Sequence, residues 1–185
     1  TTILLSGTVT LDLNGKTLTG DCPFVTVTDA QSLTLINTAA TQATVSAAHV
    51  IRLDYSAAVN IGNADGTASN IQFNLGTELF TTETDLTGCS VNIYGGAFTS
   101  DSDYAINASN ASAESNPFRL LIQGGTFTGK KAGVRIFSNN TKPTITGGTF
   151  NTSSTKIPGV SDASGLVVYS TATNFISGGT YQGIY

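Results

Sequence analysis

"ITGGTF" occupies residues 145–150, and the phrase returns as "IYGGAF" (93–98), "IQGGTF" (122–127) and "ISGGTY" (176–181). The Ile before each Gly-Gly recurs at Ile93, Ile122, Ile145 and Ile176, in steps of 29, 23 and 31 residues. A period in this range marks a repeat architecture. The Ile points inward, the next residue (Tyr94, Gln123, Thr146, Ser177) points outward, and the Gly pair turns a corner that a Cβ would obstruct. Phe98, Phe127, Phe150 and Tyr181 each follow the first Gly by three residues. Stacked rungs would superpose them at the ~4.8 Å strand spacing, as an interior aromatic ladder beside an isoleucine ladder.

Working backward, "SLTLIN" (32–37) and "AVNIGN" (58–63) have the same apolar–polar–apolar shape and place Leu35 and Ile61 in the Ile position. "LDLNG" places Leu13 there. A second strand precedes each: "FVTVTD" (24–29), "VIRLDYS" (50–56), "DYAINAS" (103–109), "GVRIFS" (133–138) and "GLVVYS" (165–170). Their alternation is that of strands, with Val25/Val27, Ile51/Leu53, Tyr104/Ile106, Val134/Ile136 and Leu166/Val168 inward and Thr26, Arg52, Ala105, Arg135 and Val167 outward. Rungs of two or three short strands are too short for βαβ units and stack into a solenoid. The fold expected is all-β: a single-stranded parallel β-helix of about seven rungs, one domain over residues 1–185. The uneven steps are assigned to insertions at corners, at 64–88, 108–117 and 152–162.

"TVTLDLNGKTLTG" (8–20) followed by GGTF-type rungs resembles the pectate-lyase-like right-handed β-helix superfamily, and more narrowly secreted bacterial surface proteins that carry such coils. The resemblance covers nearly the whole chain and implies a right-handed coil. Its motifs specify a fold rather than a chemistry, because the repeated residues are those the coil needs.

Composition narrows the function. Charged residues are 11% of the 185, with 39% hydrophobic, roughly a quarter Ser plus Thr, and a net charge of −4. This is not the low-hydrophobicity, high-charge composition of a disordered chain. Eight Lys and Arg at a pI near 4.6 offer nothing to nucleic acid. No apolar run approaches the ~20 residues of a membrane span. The chain opens directly in a strand without a visible signal peptide, as a mature or trimmed product would.

The superfamily includes polysaccharide lyases and hydrolases, which cluster carboxylates on one outer face. Here the acids are spread along the chain. Asp101 and Asp103 in "TSDSDY" are the densest pair and the only metal candidates, but two carboxylates fall short of the six to eight oxygens that Ca²⁺ takes. They read better as a solvated corner. Arg52 and Asp54 share an outer face, and Arg135 occupies the Arg52 position in a later rung. With Lys130, Lys131 and Lys142, Arg135 forms a basic group open to an acidic saccharide or to simple solvation. The lone His49 builds no metal triad. No nucleophile elbow or phosphate loop is present. No catalytic residue and no cofactor is expected.

Flat Thr-x-Thr arrays on solenoids raise ice binding. Thr8/Thr10, Thr17/Thr19, Thr26/Thr28, Thr126/Thr128 and Thr144/Thr146 are such pairs. They do not occupy one slot in the repeat, which points to strand propensity instead.

Cys22 and Cys89 make a disulfide the simple expectation in a secreted chain. Their rungs lie two apart, about 10 Å of stack against a Cα limit near 7 Å. The bridge therefore needs 64–88 to fold back; otherwise the thiols are buried or pair between subunits. Asn107, Asn110, Asn139 and Asn151 head Asn-x-Ser/Thr sequons, a number expected by chance in this composition.

No polar capping repeat is visible at either end. Ile3, Leu4 and Leu5 open one end and Tyr181, Ile184 and Tyr185 close the other. Either the chain is cut from a larger surface protein, or subunits join end to end through these residues. The expectation is a secreted or cell-surface structural protein that self-associates into filaments or a surface layer, without catalysis. The alternatives are a carbohydrate-binding module or adhesin, and a polysaccharide lyase or hydrolase. The outward aromatics Tyr94, Phe137 and Tyr169, with Tyr55, are lateral contacts on the first reading and sugar platforms on the second.

Overall fold

The computed structural model describes residues 2–21, 23–82, 85–109, 111, 113–154 and 164–185. Every regular element among them is a strand. In chain order these are β1 (Ile3–Leu4), β2 (Thr8–Asp12), β3 (Thr17–Thr19), β4 (Val25–Val27), β5 (Ser32–Ile36), β6 (Ala43–Leu53), β7 (Ala58–Ile61), β8 (Ile71–Thr81) and β9 (Ser90–Ile93). They continue as β10 (Ala97–Ser100), β11 (Tyr104–Ala108), β12 (Phe118–Ile122), β13 (Thr126–Gly129), β14 (Ala132–Ile136), β15 (Thr141–Ile145), β16 (Thr149–Thr152), β17 (Leu166–Val168) and β18 (Thr180–Tyr181).

Every pairing between these strands is parallel, and each strand pairs with its equivalent in the next coil. The coil visits three faces in turn. A base face stacks β2, β5, β7, β9, β12 and β15. A flank face stacks β3, the first halves of β6 and β8, then β10, β13, β16 and β18. A rear face stacks β1, β4 and the second halves of β6 and β8, followed by β11, β14 and β17. The result is a parallel β-solenoid of about six turns. The seventh rung expected from the Ile spacing is only begun, since Ile176 makes a single bridge to Ile145.

The core is a set of inward columns. On the base, Leu35, Ile61, Ile93, Ile122 and Ile145 stand in register, all buried. On the flank, Phe73, Phe98, Phe127, Phe150 and Tyr181 stack nearly parallel, with ring centroids 4.6, 4.9, 5.2 and 4.7 Å apart. That is the strand spacing, so backbone pairing itself sets the ring separation. The expected ladder is present and one ring longer, because Phe73 has no Gly-Gly before it to betray its place.

The two glycines of each corner serve different needs. The second has a positive φ, at 104° in Gly96, 102° in Gly125, 103° in Gly148 and 108° in Gly179. The first sits against the rung below: a Cβ at Gly147 or Gly178 would collide with the carbonyl oxygen of Gln123 or Thr146.

Three expectations are corrected. The stretch 64–88 is not simply an insertion, because β8 runs through it and spans two faces, with a register shift in its pairing with β6 between Ala47 and His49. Tyr104 does not join the main core: it packs with Ala132 and Val167 in a separate cluster, beside the cations of Lys131 and Arg135. Its place at the corner, rather than mid-strand, breaks the alternation. Thr17/Thr19 do share a face with Thr126/Thr128, through Thr44/Ser46, Gln72/Asn74 and Ala97/Thr99. Of these positions Gln72 and Asn74 are engaged with each other, and Asn74 with Ser46, rather than held as a bare hydroxyl lattice.

Candidate functional site

The outer side of the rear face carries the densest chemistry. Register places Asn107 beside Arg135 and Arg135 beside Val167, one outward position per rung. Upstream, β8 runs beside β11 and supplies Glu78, close enough to the Asn107 side chain for that group to draw its carboxyl pKa down. The next outward positions bring Phe137 and Tyr169 together edge to face at 5.0 Å, and Tyr169 meets Tyr185 at 5.6 Å. Phe137 and Tyr169 are 44% and 39% exposed, high for rings already in mutual contact. The Arg135 guanidinium lies 4.1 Å from the Phe137 centroid and 5.1 Å from that of Tyr104, within cation–π range of both.

Burial raises the Glu78 pKa from 4.5 to about 7; the neighbouring Asn107 side chain opposes this, Asp103 adds to it, and Arg135 and Lys131 oppose it. A carboxyl that is still half-protonated near pH 7 is unusual. His49, its register partner on β6, is pushed down by burial and lies 3.0–3.1 Å from the Thr77 hydroxyl. Between Glu78, Thr81, Thr82, Asn107 and Ser109 is a polar cavity of about 50 Å³ floored by Phe80 and Leu86.

Among the described residues four buried side-chain polar atoms lack a partner, and three belong to this face: Asp103 Oδ1, Asn107 Oδ1 and Arg135 Nε. Buried polar groups are rarely left so, which sets this stretch apart from the rest of the outer face.

The other predicted residues are scattered. Arg52 Nε donates to Asp54 at 3.0 Å, and buried Asp54 also accepts from the Thr82 hydroxyl at 2.5 Å, at the upstream margin of the same face. Asp103 is held by Lys131 at 3.2 Å, while Asp101 is exposed at the corner. Tyr94 is half-buried on the base corner, away from Phe137. Ile3, Leu4, Ile184 and Tyr185 are exposed, whereas Leu5 is buried and Tyr181 is half-buried on Phe150. Cys89 is a buried free thiol whose pKa burial raises to about 11, so it is a poor nucleophile. Cys22 and Asn110 lie outside the described residues. Asn139 is exposed and accepts from the Thr171 amide at 2.9 Å; Asn151 is half-buried in β16.

Sequence reasoning found Phe137, Tyr169 and Arg135 but missed Glu78. Its neighbours in "LGTELF" give no signal, and Asn107 lies 29 positions further on.

Compared with protein-family models, with curated proteins and with solved structures, the chain gives no match. What the molecule itself defines is a class: an all-β solenoid of parallel strands with a polar and aromatic strip on one face.

Proposed function

We propose that this protein is a structural β-solenoid of the cell exterior that associates with copies of itself end to end, and that no reaction is its purpose. The observation that carries the reading is where apolar surface is left uncovered. Ile3 and Leu4 are 52% and 72% exposed on the first rung, and Ile184 and Tyr185 are 56% and 52% exposed on the last. Ile3 occupies the inward column of Val25 and, among the described residues, pairs only with β4. The interior is correspondingly open there, as an apolar cavity of about 90 Å³ between Ile3, Leu11, Leu18, Phe24, Leu33 and Ile51. An open strand edge over an apolar opening suits a further parallel rung, and a head-to-tail contact of this kind propagates into a filament. Low charge supports close packing of copies. The three-faced coil and its Gly-Gly corners support kinship with the pectate-lyase-like β-helices, in the manner of secreted bacterial surface proteins.

The test is light scattering and negative-stain electron microscopy of the native protein and of an Ile3→Asp, Leu4→Asp variant. Filaments that the variant abolishes support the reading. A monomer at micromolar concentration overturns it, including a longer natural chain whose own further rungs cover these edges.

A further inference from the structure

We propose that the outer side of the rear face is a lateral interface, on which a second copy of the chain packs with its axis reversed. This goes beyond end-to-end association, uses a different surface and does not depend on it.

Exposed apolar surface marks the face. All seven exposed large hydrophobic side chains among the described residues belong to rear-face strands or to the turn that follows them, and none to the base or the flank. Leu4 lies on β1, Tyr55 follows β6, Phe137 follows β14 and Tyr169 follows β17, while the Tyr185 carbonyl accepts from the Val168 amide of β17. Phe137, Tyr169 and Tyr185 form one run of contacting rings. Apolar side chains gathered on one face, with charged groups at its rim, mark an association surface.

Charge fixes the partner and its direction. In a solenoid, position in the sequence is position along the axis. Residues 1–115 carry 11 Asp and Glu against 2 Lys and Arg, a net −9. Residues 116–185 carry 6 Lys and Arg against 1 Asp, a net +5, so the two parts give the −4 of the whole. The rim of the rear face divides in the same way. Asp21 and Asp29 are exposed on either side of β4, and Lys130 and Lys131 are exposed just before β14. Arg52, the one cation of the early rear strands, is already met by Asp54 at 3.0 Å.

A partner of a single sign, such as a polyanion or an anionic membrane, would be repelled by one part of this face. A copy laid parallel would set like against like. A copy turned end for end, about an axis parallel to the strands, sets each part on its opposite. It also brings the coils of Leu4 and Tyr55 across from those of Phe137, Tyr169 and Tyr185. Such a two-fold contact is isologous and closes as a pair. About six coils at the ~4.8 Å strand spacing, by strands about five residues wide, offer roughly 500 Å² per copy, the low end for specific association. The pair is therefore weak, with a dissociation constant on the order of 100 μM.

The experiment is sedimentation velocity from about 10 to about 300 μM, at about 20 mM and about 500 mM NaCl. It uses the Ile3→Asp variant, whose substitution lies in the inward column and so acts on the axial edge rather than on the outer face. A monomer–dimer equilibrium is expected at low salt, weakened several-fold at high salt as the opposed charges are screened. Adding Phe137→Ser should weaken the pair roughly tenfold, and adding Lys130→Glu several-fold; both positions are exposed, and circular dichroism checks that the variants fold. Carbodiimide cross-linking of a mixture of isotope-labelled and unlabelled unmodified chains gives a readout free of substitution. Intermolecular links are expected from Lys130 or Lys131 to Asp21 or Asp29. A dimer that persists in Ile3→Asp, with or without filaments of the unmodified chain, supports lateral pairing as distinct from end-to-end joining. A monomer throughout, a dimer strengthened by salt, a dimer that Phe137→Ser leaves unchanged, or intermolecular links only between residues of the same part of the chain would overturn the assignment.

Discussion

Asn37 Nδ2 donates to the main-chain carbonyl of Asn70, one coil further along, at 2.8 Å. The same amide donates to the Thr41 carbonyl at 2.8 Å, and its Oδ1 accepts from the Gly15 amide of the preceding coil at 2.7 Å. One buried side chain thus ties three coils together at a corner that has no Gly-Gly. Asn37→Ala removes all three bonds and leaves a gap where a buried amide joined the coils. The expected cost is about 2–4 kcal/mol, read as a lower midpoint in thermal or urea unfolding. A loss below about 0.5 kcal/mol would show that water replaces the staple without penalty.

The flank ladder answers to packing rather than to hydrogen bonds. Phe127 is fully buried between Phe98 and Phe150. Phe127→Ala opens a cavity that the rings above and below cannot close, because backbone pairing fixes their spacing. A loss of about 3–5 kcal/mol follows. Tyr181→Phe keeps the stack and loses only the hydroxyl's bond to the Gly178 carbonyl, 2.7 Å away, so it should cost about 1 kcal/mol or less. Unfolding curves of the two variants, compared side by side, measure the difference.

Corner glycines differ in the same way. At Gly7 a Cβ meets nothing within 4 Å, but φ is +80°. Gly7→Ala should therefore cost only the backbone penalty, about 1–2 kcal/mol. At Gly147 φ is unremarkable, but the added Cβ collides with the Gln123 carbonyl, part of a rung held on both sides. Gly147→Ala is expected to be clearly the more damaging of the two. Equal unfolding midpoints would refute the steric account of the first glycine.

Glu78 gives the protein a pH signature. Its pKa rises from 4.5 to about 7 on folding, so the folded state holds the proton more tightly than the unfolded state. The associated stability is fully present below about 4.5 and is lost as the pH rises through about 7. Since part of the carboxyl stays wetted, the effect is on the order of 2 kcal/mol. His49, whose pKa is lowered, acts oppositely: its contribution is lost as the pH falls below about 6.5. Comparing wild type with Glu78→Gln isolates the carboxyl. The difference in unfolding free energy should change between pH 4.5 and 7 and stay level above. A difference that is flat throughout would mean that Glu78 ionises as an exposed carboxylate does.

The repeat was legible in the chain because a solenoid imposes the same local demand on every coil. Each corner that uses Gly-Gly needs one glycine for positive φ and one for the close approach of Gln123 or Thr146. Each interior position needs an apolar side chain of fixed size. The columns of Ile93, Ile122 and Ile145 and of Phe98, Phe127 and Phe150 could therefore be read directly. The corner at Asn37 was not legible, because a buried amide solves the same problem by bonds to three coils and leaves no repeated word. Phe73 and β8 were hidden for the same reason.

What the sequence by itself determined is the coil, its corners and its inward columns, since these depend on local conformation and on a periodicity that stacking repeats. Only the tertiary structure decided which outward residues meet. Glu78, Asn107, the Arg135–Phe137 pair and Tyr169 lie on successive coils whose lengths differ, so the register that aligns them is set by insertions carrying no signal of their own. Outward positions are also free of the packing constraint that makes the core repeat. The residues that make one coil differ from another are thus those that sequence periodicity cannot place.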